Sequence, residues 1–289
     1  MGEIMKKWFI ILRAYSWPAS LVPVLLGSVI AWRHGGFSRL DFCLTFAAAL
    51  LTHSAANLAN TYFDFKKGVD RKETADDRGL VDALMTPRAM LLTSLGLFAA
   101  AAAIGALLAF KNSTPALLAL GAAGFALAWF YTGTGFAYKY RTLGDVGIFF
   151  AFGPGIVSGT ALIQTGVLVP EALWASIPVG LLIVGILHAN NMRDVKSDGG
   201  AGFTTLAGAL GPSRAVKFYY ALIFSPYLFP FTFGSVWPPV FCALSIPLAL
   251  RLKAKADKGE FSALVPETAR LVAVFGLLLS AGLYTAARK

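Results

Sequence analysis

The chain has 289 residues, of which 57% are apolar and 14% charged, and its formal net charge is +10. Soluble domains carry roughly 25% charged residues, so the composition excludes an ordinary soluble globule and points to a bilayer. The basic excess does not require a nucleic acid partner, because membrane proteins collect Lys and Arg in their cytoplasmic segments.

The first segment, "KKWFIILRAYSW", reads as interfacial: its apolar run ahead of Arg13 is too short for the core of a signal peptide, so the first span is expected to be retained. Stretches of the length needed to cross ~30 Å of hydrocarbon then follow at 14–32, 40–63, 88–109, 114–132, 143–163, 170–192, 215–233, 236–250 and 267–286. They have helical length and lack the ~10-residue alternation of a membrane barrel. The predicted fold class is therefore all-α: a polytopic membrane protein of nine transmembrane helices, forming one domain over residues 1–289. With the N-terminus inside, 20 Lys and Arg fall in inner segments and 5 in outer ones, which sets the orientation. Cys43 and Cys242 lie in apolar spans without metal-ligand spacing and are expected to be inert core thiols.

The second span ends in "NLANTYFDFKKGVD". His53, Asn57, Asn60 and Asp64 follow one another at helical spacing and form a polar stripe on one face. Beyond it, the loop to Pro87 is longer than the ~12–15 residues at which loops become functional or disordered, and six of the fifteen acids lie between Asp64 and Asp82. Gly68 and Gly79 would let it act as a mobile cover. The inner segment after the fourth span brings Lys139 and Arg141. The sixth span ends in "ANNMRD", an echo of "ANTYFD", and its Asn190, Asp194 and Asp198 form a second stripe. The echo hints at an internal repeat around a central cavity, a device by which membrane proteins build sites.

Carboxylates at membrane depth are expensive and normally functional; the plainer alternative is that Asp64 and Asp194 cap helix ends at the interface. Clustered carboxylates and amide oxygens suit a hard cation, and Mg2+ prefers a few carboxylates together with phosphate oxygens and water. Lys66, Lys67, Arg78, Arg193, Lys139 and Arg141 complement a phosphate; surface ion pairing explains Lys66, Lys67 or Arg141 at least as simply, whereas Arg193, inside "NNMRDVKSD", is the better candidate. With no P-loop pattern, the expected ligand is an amphiphile with a diphosphate head and an apolar tail. A cation-coupled transporter is the rival of another class, but its coupling residues belong in mid-span on broken helices, whereas these acids lie at span ends.

"NNMRDVKSDGGAGFTTLAGALG" resembles the second aspartate motif of the UbiA superfamily of intramembrane prenyltransferases. "NLANTYFDFKKGVD" with "RGLVDALMTPRAM", and also "LRAYSWPASLVPVLLG" and "YTGTGFAYKYRTLGDVGIFFAFG", are similar to the branch that makes menaquinone, the dihydroxynaphthoate polyprenyltransferases. Thr61 departs from that pattern where Asp is common, Ala14 where Pro is, and Phe203 where Lys is.

The resemblance implies a nine-helix fold around a central cavity and Mg2+-dependent transfer of a polyprenyl group from a polyprenyl diphosphate to an aromatic acceptor. That acceptor is expected to be 1,4-dihydroxy-2-naphthoate, with 4-hydroxybenzoate, homogentisate and a lipid alcohol as alternatives. It further implies Asp64, Asp194 and Asp198 as catalytic residues and Asn60, Asp64, Asp70, Asp194 and Asp198 as metal ligands. Lys67, Arg78, Lys139 and Arg193 would hold the diphosphate, and Asn57, Tyr131, Asp145 and Asn190 would shape the acceptor pocket. Tyr131 has an equal alternative as an interfacial anchor. His188 reads as a packing histidine, with a general base as its alternative. The expected location is a bacterial inner membrane, with both aspartate motifs on the cytoplasmic side.

Overall fold

A computed structural model describes residues 2–72, 75, 77–133 and 136–287. Helix α1 (Gly2–Ile11) ends at Arg13, which takes a left-handed backbone conformation, φ 51° and ψ 47°. A single 3-10 turn, Ala14–Ser16, then leads into α2 (Pro18–Arg33), where Pro18 sits in the first turn and its missing N–H costs nothing. Helix α3 (Arg39–Lys66) starts at Ser38, whose hydroxyl accepts from the Asp41 N–H, and continues through Asp64 without a break.

After the short α4 (Arg78–Val81) come α5 (Pro87–Lys111), capped by Thr86, and α6 (Ala116–Phe130). Helices α7 (Gly144–Phe150) and α8 (Ile156–Thr165) are joined by a π-helical turn, Ala151–Gly155. Pro154 lies within that turn and cannot donate to the regular ladder, a common cause of such a kink. Helix α9 (Pro170–Gly200) is followed by α10 (Leu206–Leu210) and α11 (Pro212–Phe224). The last elements are α12 (Trp237–Ala243), α13 (Ile246–Asp257) and α14 (Phe261–Ala286).

The fold is all-helical, as the sequence predicts. Among the described residues, however, six helical stretches rather than nine are long and apolar enough to cross a bilayer on their own. The 114–132 stretch folds as the 15-residue α6. The 215–233 stretch is helical only to Phe224 and then winds as a 3-10 coil, Ser225–Phe233, because Pro226 and Pro230 interrupt the α ladder. The 236–250 stretch breaks between α12 and α13.

Helix α9 is the central post, packed by α14, α11, α2 and the π turn. Its most apolar window is 67% buried against 22% for α5, which places α5 on the lipid-facing side. The solid half of the bundle closes on Leu26, Leu182, Tyr219, Phe275 and Leu279. With no hydrophobic drive between helices in lipid, tight association depends on close backbone approach at small residues. A Cβ on Gly27 would meet the Val157 carbonyl oxygen at 2.5 Å, and one on Gly276 would meet Val22 Cγ1 at 2.0 Å, so α2 lies against α8 and α14 only because both positions are glycine.

The other half, between α3, α5, α6, α8 and α9, encloses a cavity of about 870 Å³. At the bundle end away from the aspartate motifs, Lys111 pairs with the buried Asp41 at 2.8 Å and Arg33 with Glu171 at 3.1 Å. Cys242 is buried as expected, whereas Cys43 is exposed: it sits on a face of α3 that no other helix covers.

Candidate active site

The polar stripe of α3 divides by depth. His53, Asn57 and Asn60 line the cavity, while Asp64, one turn further on, lies outside its lining but bonds to Lys139, which is part of it. The Asp64 carboxylate is 3% exposed; Lys139 Nζ donates to one oxygen at 2.7 Å and the Tyr140 hydroxyl donates to the other through a short bond. Tyr140 ends a 3-10 turn, Tyr138–Tyr140, that leads into α7, and its ring carries the site's cationic edge. Lys67 Nζ lies 4.2 Å from the ring centroid and donates to the Thr132 carbonyl at 2.9 Å. Phe203 meets the same ring edge-on at 4.5 Å. Where the resembling family commonly has a lysine, this chain thus has an aromatic brace.

Burial, then repulsion by the Asp64 carboxylate, raises the Tyr140 phenol's pKa and keeps it a donor. Burial also lowers the pKa of the Lys67 ammonium; Asp64 opposes this and Lys139 adds to it.

The second motif closes on itself. Arg193 grips Asp194 with two bonds of 2.7 Å, and Asn190 completes the ring, donating to Asp194 at 3.1 Å and accepting from Arg193 at 2.9 Å. Asp198, one turn beyond Asp194, is buried within electrostatic reach of Lys139, Asp194, Asp64 and Arg193. The two motifs therefore meet at one end of the bundle, with Lys139 between them.

Asp70 joins the first motif from the loop. Its Oδ2 is buried without a partner, and burial followed by repulsion from Asp64 pushes its carboxyl up to about 7. Among the described residues no three His, Cys, Asp or Glu side chains form a ready-made metal cage. Mg2+ does not need one, since it is usually held by one or two carboxylates, with water and phosphate oxygens completing the shell. The unpartnered Asp70 oxygen beside Asp64 fits that donor set.

Several expected site residues stand elsewhere. Asn60 turns its oxygen, the atom a metal would take, toward Arg13 Nη1 at 3.4 Å. Arg78 is half-exposed and locked to Asp82, its i+4 neighbour, and to the Lys72 carbonyl at 2.9 Å. Asp145 is not in the cavity wall; it sits behind it, 3.1 Å from His188 Nδ1, while His188 Nε2 donates to the Ala215 carbonyl at 3.0 Å. His188 thus ties α7, α9 and α11 together as a packing residue. Asn57, Tyr131 and Asn190 do line the cavity. Asn57 Nδ2 donates to the Leu12 carbonyl at 3.2 Å, and the Tyr131 ring lies edge-on to Tyr138 at 5.4 Å. Of the loop acids, Glu73 and Asp76 lie outside the described residues.

Four features are absent from the sequence reading. Arg13 lines the cavity and donates from Nε to Asp77 at 2.9 Å. Burial works against its charge, but Asp77, helped by Asp64 and Asp70, outweighs it and raises the guanidinium's pKa. Asp77 also accepts from the Thr61 hydroxyl and, through Oδ1, from the Gly79 N–H at 2.7 Å. The third is the setting of His53. The Ser16 hydroxyl donates to the Arg13 carbonyl at 2.7 Å, so it accepts from His53 Nε2 at 2.9 Å, and Ser20 donates to Nδ1 at 2.6 Å. Both ring nitrogens are thereby occupied, and the imidazole is a wall rather than a base. The signal for Tyr140 lay in plain view, directly beside Lys139 in "YKY".

Residues 20–258 match the UbiA prenyltransferase family. The UbiA prenyltransferase domain-containing protein 1 of Xenopus tropicalis is 37% identical over 286 residues, 95% of this chain and 81% of that protein. That of Mus musculus is 38% identical over 288 residues, 97% of this chain and 84% of that protein. Among solved structures, an apo UbiA homolog from Aeropyrum pernix K1 superposes with a TM-score of 0.70 at 20% identity, covering 94% of this chain and 96% of that one. A UbiA homolog from Archaeoglobus fulgidus bound to GPP and Mg2+ gives 0.63 at 16% identity over 95% of this chain and 99% of that one. The archaeal structures share the fold; the family match and the animal relatives carry the kinship, and this integral membrane protein belongs to the UbiA prenyltransferase family.

Proposed function

We infer that the chain, as a single domain over residues 1–289, transfers a polyprenyl group from a polyprenyl diphosphate to an aromatic acceptor with Mg2+ as cofactor, and that the acceptor is 1,4-dihydroxy-2-naphthoate. The observation that carries the reading is that Lys139, which binds Asp64 together with Tyr140, also lines an apolar cavity of about 870 Å³. Ligand sites of this kind pair an apolar pocket with a few convergent polar groups. From Asn60 to Thr45 the cavity follows α3 for roughly 22 Å at 1.5 Å per residue. Its far walls are small and apolar, with Ala102, Gly105, Ala106 and Gly121 among them, which suits a prenyl tail. The UbiA homolog of Archaeoglobus fulgidus has been solved with GPP and with DMAPP, each with Mg2+.

In this reading Asp64, Asp70, Asp194 and Asp198 hold the cation, directly or through water. Bound there, Mg2+ supplies positive charge to the leaving diphosphate oxygens. Lys139 and Lys67 lie within reach of the same group and take up charge as the allylic C–O bond lengthens. Tyr140 keeps Asp64 oriented by a bond that persists because its phenol stays protonated. Arg193 serves by fixing Asp194, and Arg78 is left out of the diphosphate shell. The apolar walls exclude water from the allylic cation, which would otherwise be hydrolysed.

The acceptor assignment rests on the likeness of both motifs to the menaquinone branch. The two ring hydroxyls of dihydroxynaphthoate raise electron density at the carbon bearing the carboxylate. Attack from that carbon forms the new C–C bond as the allylic C–O bond to the diphosphate breaks, and loss of CO2 restores aromaticity, giving a demethylmenaquinol that dissolved O2 oxidises to the quinone after release. No side chain has to remove a proton from that carbon, in keeping with a His53 whose nitrogens are both engaged. The 20:5 division of basic residues supports a site on the cytoplasmic face, and the menaquinone likeness favours a bacterial inner membrane.

The test is to offer purified protein a polyprenyl diphosphate, Mg2+ and a panel of dihydroxynaphthoate, 4-hydroxybenzoate and homogentisate, and to identify the products by mass. A prenylated naphthoquinone is expected. Prenylated hydroxybenzoate alone would overturn the acceptor, and product formed in EDTA would overturn the metal.

A further inference from the structure

We propose that Phe203 is a positioning residue: through the ring of Tyr140 it keeps the Tyr140 hydroxyl on Asp64 and joins the two aspartate motifs into one unit. The inference rests on the reading of Asp64, Asp194 and Asp198 as one site for Mg2+ and diphosphate. Phe203 stands where the resembling family commonly has Lys. Its ring meets that of Tyr140 at a centroid distance of 4.5 Å and an interplanar angle of 67°. Aromatic pairs favour this T-shaped arrangement beyond the burial of their surfaces.

Each partner in the contact is tied to a different motif. Tyr140 donates to one oxygen of Asp64 through a short bond, and Lys139 donates to the other at 2.7 Å. Phe203 belongs to the chain that leaves α9, where its N–H donates to the Asp198 carbonyl at 3.3 Å. Gly202, at φ 83°, supplies the left-handed step that turns the chain back after the helix, a conformation open to glycine without strain. One residue further along on both sides, Arg141 and Thr204 form an isolated parallel β-bridge, the only one among the described residues. A ring contact and a backbone bridge thus link the segment ahead of α7 to the segment after α9 at two successive positions.

The surrounding charges explain why a neutral ring suits position 203. Lys67 Nζ lies 4.2 Å and Lys139 Nζ 5.7 Å from the Tyr140 ring centroid, so the ring already faces two cations. A third ammonium would be repelled by both, whereas a phenyl ring braces Tyr140 without adding charge. Tyr140 needs the brace because it stands at the end of a 3-10 turn of three residues rather than within a long helix. Phe203 is half-buried and lies outside the apolar core, so its truncation leaves the bundle intact.

The experiment measures kcat/KM for a polyprenyl diphosphate and, without substrate, the binding of Mn2+ as a stand-in for Mg2+ by electron paramagnetic resonance. Loss of an aromatic contact predicts a fall of about twofold to tenfold in donor kcat/KM for Phe203→Leu, and Mn2+ binding weaker by a similar factor. Phe203→Tyr, which keeps the ring, should restore both. Tyr140→Phe removes the hydroxyl through which the brace acts, so adding Phe203→Leu to it should cost less than about twofold more. Effects that multiply instead would make Phe203 an independent packing residue and overturn the inference, as would a Phe203→Leu effect confined to the acceptor KM.

A covalent link tests the same point within one protein. Neighbouring parallel strands lie about 4.8 Å apart, inside the roughly 4.4–6.8 Å between Cα atoms that a disulfide accepts. In a Phe203→Leu background lacking Cys43 and Cys242, oxidation of Arg141→Cys/Thr204→Cys should raise donor kcat/KM and reduction should lower it again. No gain from a disulfide verified by mass would overturn the brace. Wild-type turnover undiminished in EDTA would overturn the metal reading separately, and the double variant and the oxidation cycle, both read as turnover, then decide the brace by the same criteria.

Discussion

Asp77→Ala should unseat Arg13 and loosen the loop that follows α3. The wild-type carboxylate is 1% exposed and takes three bonds: from Arg13 Nε at 2.9 Å, from the Thr61 hydroxyl, and from the Gly79 N–H at 2.7 Å. The charged bond is worth about 1.5–3 kcal/mol, and the lost cap at Gly79 adds about 1 kcal/mol. The expected destabilisation is therefore about 2.5–4 kcal/mol for Asp77→Ala, and about half as much for Asp77→Asn, which keeps the capping oxygen. Arg13→Ala and the double variant complete a thermodynamic cycle, measured as reversible unfolding in mixed micelles. Residues in such direct contact should couple by about 1.5–3 kcal/mol. A change below about 0.5 kcal/mol for Asp77→Ala, the level of an ordinary surface substitution, or single effects that simply add, would refute the buried pair as the anchor of Arg13.

Asp64→Ala and Asp194→Ala should each lower turnover at least a hundredfold, about the loss seen when one transition-state contact is removed. Circular dichroism should remain helical, because neither side chain belongs to the apolar core; full activity in either variant would sink the metal site. Asp70, pushed up to about 7 from 3.8, binds its proton more tightly folded than unfolded. Metal-free protein should therefore lose stability as pH rises from 3.8 to about 7, and Asp70→Asn should remove that slope in melting experiments; stability rising across the window because of Asp70 would contradict its environment. For the orientation, Lys196→Cys and Ser113→Cys place thiols at exposed positions near opposite ends of the bundle. In a background lacking the exposed Cys43 and Cys242, an impermeant reagent on intact cells should label position 113 and spare position 196, and the reverse pattern would invert the topology.

The long apolar helices were legible because hydropathy alone decides them in lipid: α3 and α5 extend only a few residues past their predicted bounds, while α9 begins where predicted but carries its polar end on to Gly200. Periodicity likewise put His53, Asn57 and Asn60 on one face. The broken elements were not legible, since Pro154, Pro226 and Pro230 are visible in the sequence but hydropathy averages over the turns they interrupt. The internal echo shows the same limit from the other side. Asn190 reaches Asp194 within its own helix, whereas Asn60 is intercepted by Arg13 and Asp64 by Lys139, partners 47 and 75 residues away. Identical spacing therefore gives unlike sites, because long-range packing chooses the partners. Arg78 errs in the opposite sense: a carboxylate four residues on captures it before any distant ligand can.

The central claim is tested most directly with dihydroxynaphthoate labelled with 13C in its carboxylate, a polyprenyl diphosphate and Mg2+. One labelled CO2 should be released for each prenylated naphthoquinone formed, with neither product appearing in EDTA or with Asp64→Ala. A prenylated product that keeps the label, or no reaction with the naphthoate from protein that prenylates hydroxybenzoate, would contradict it.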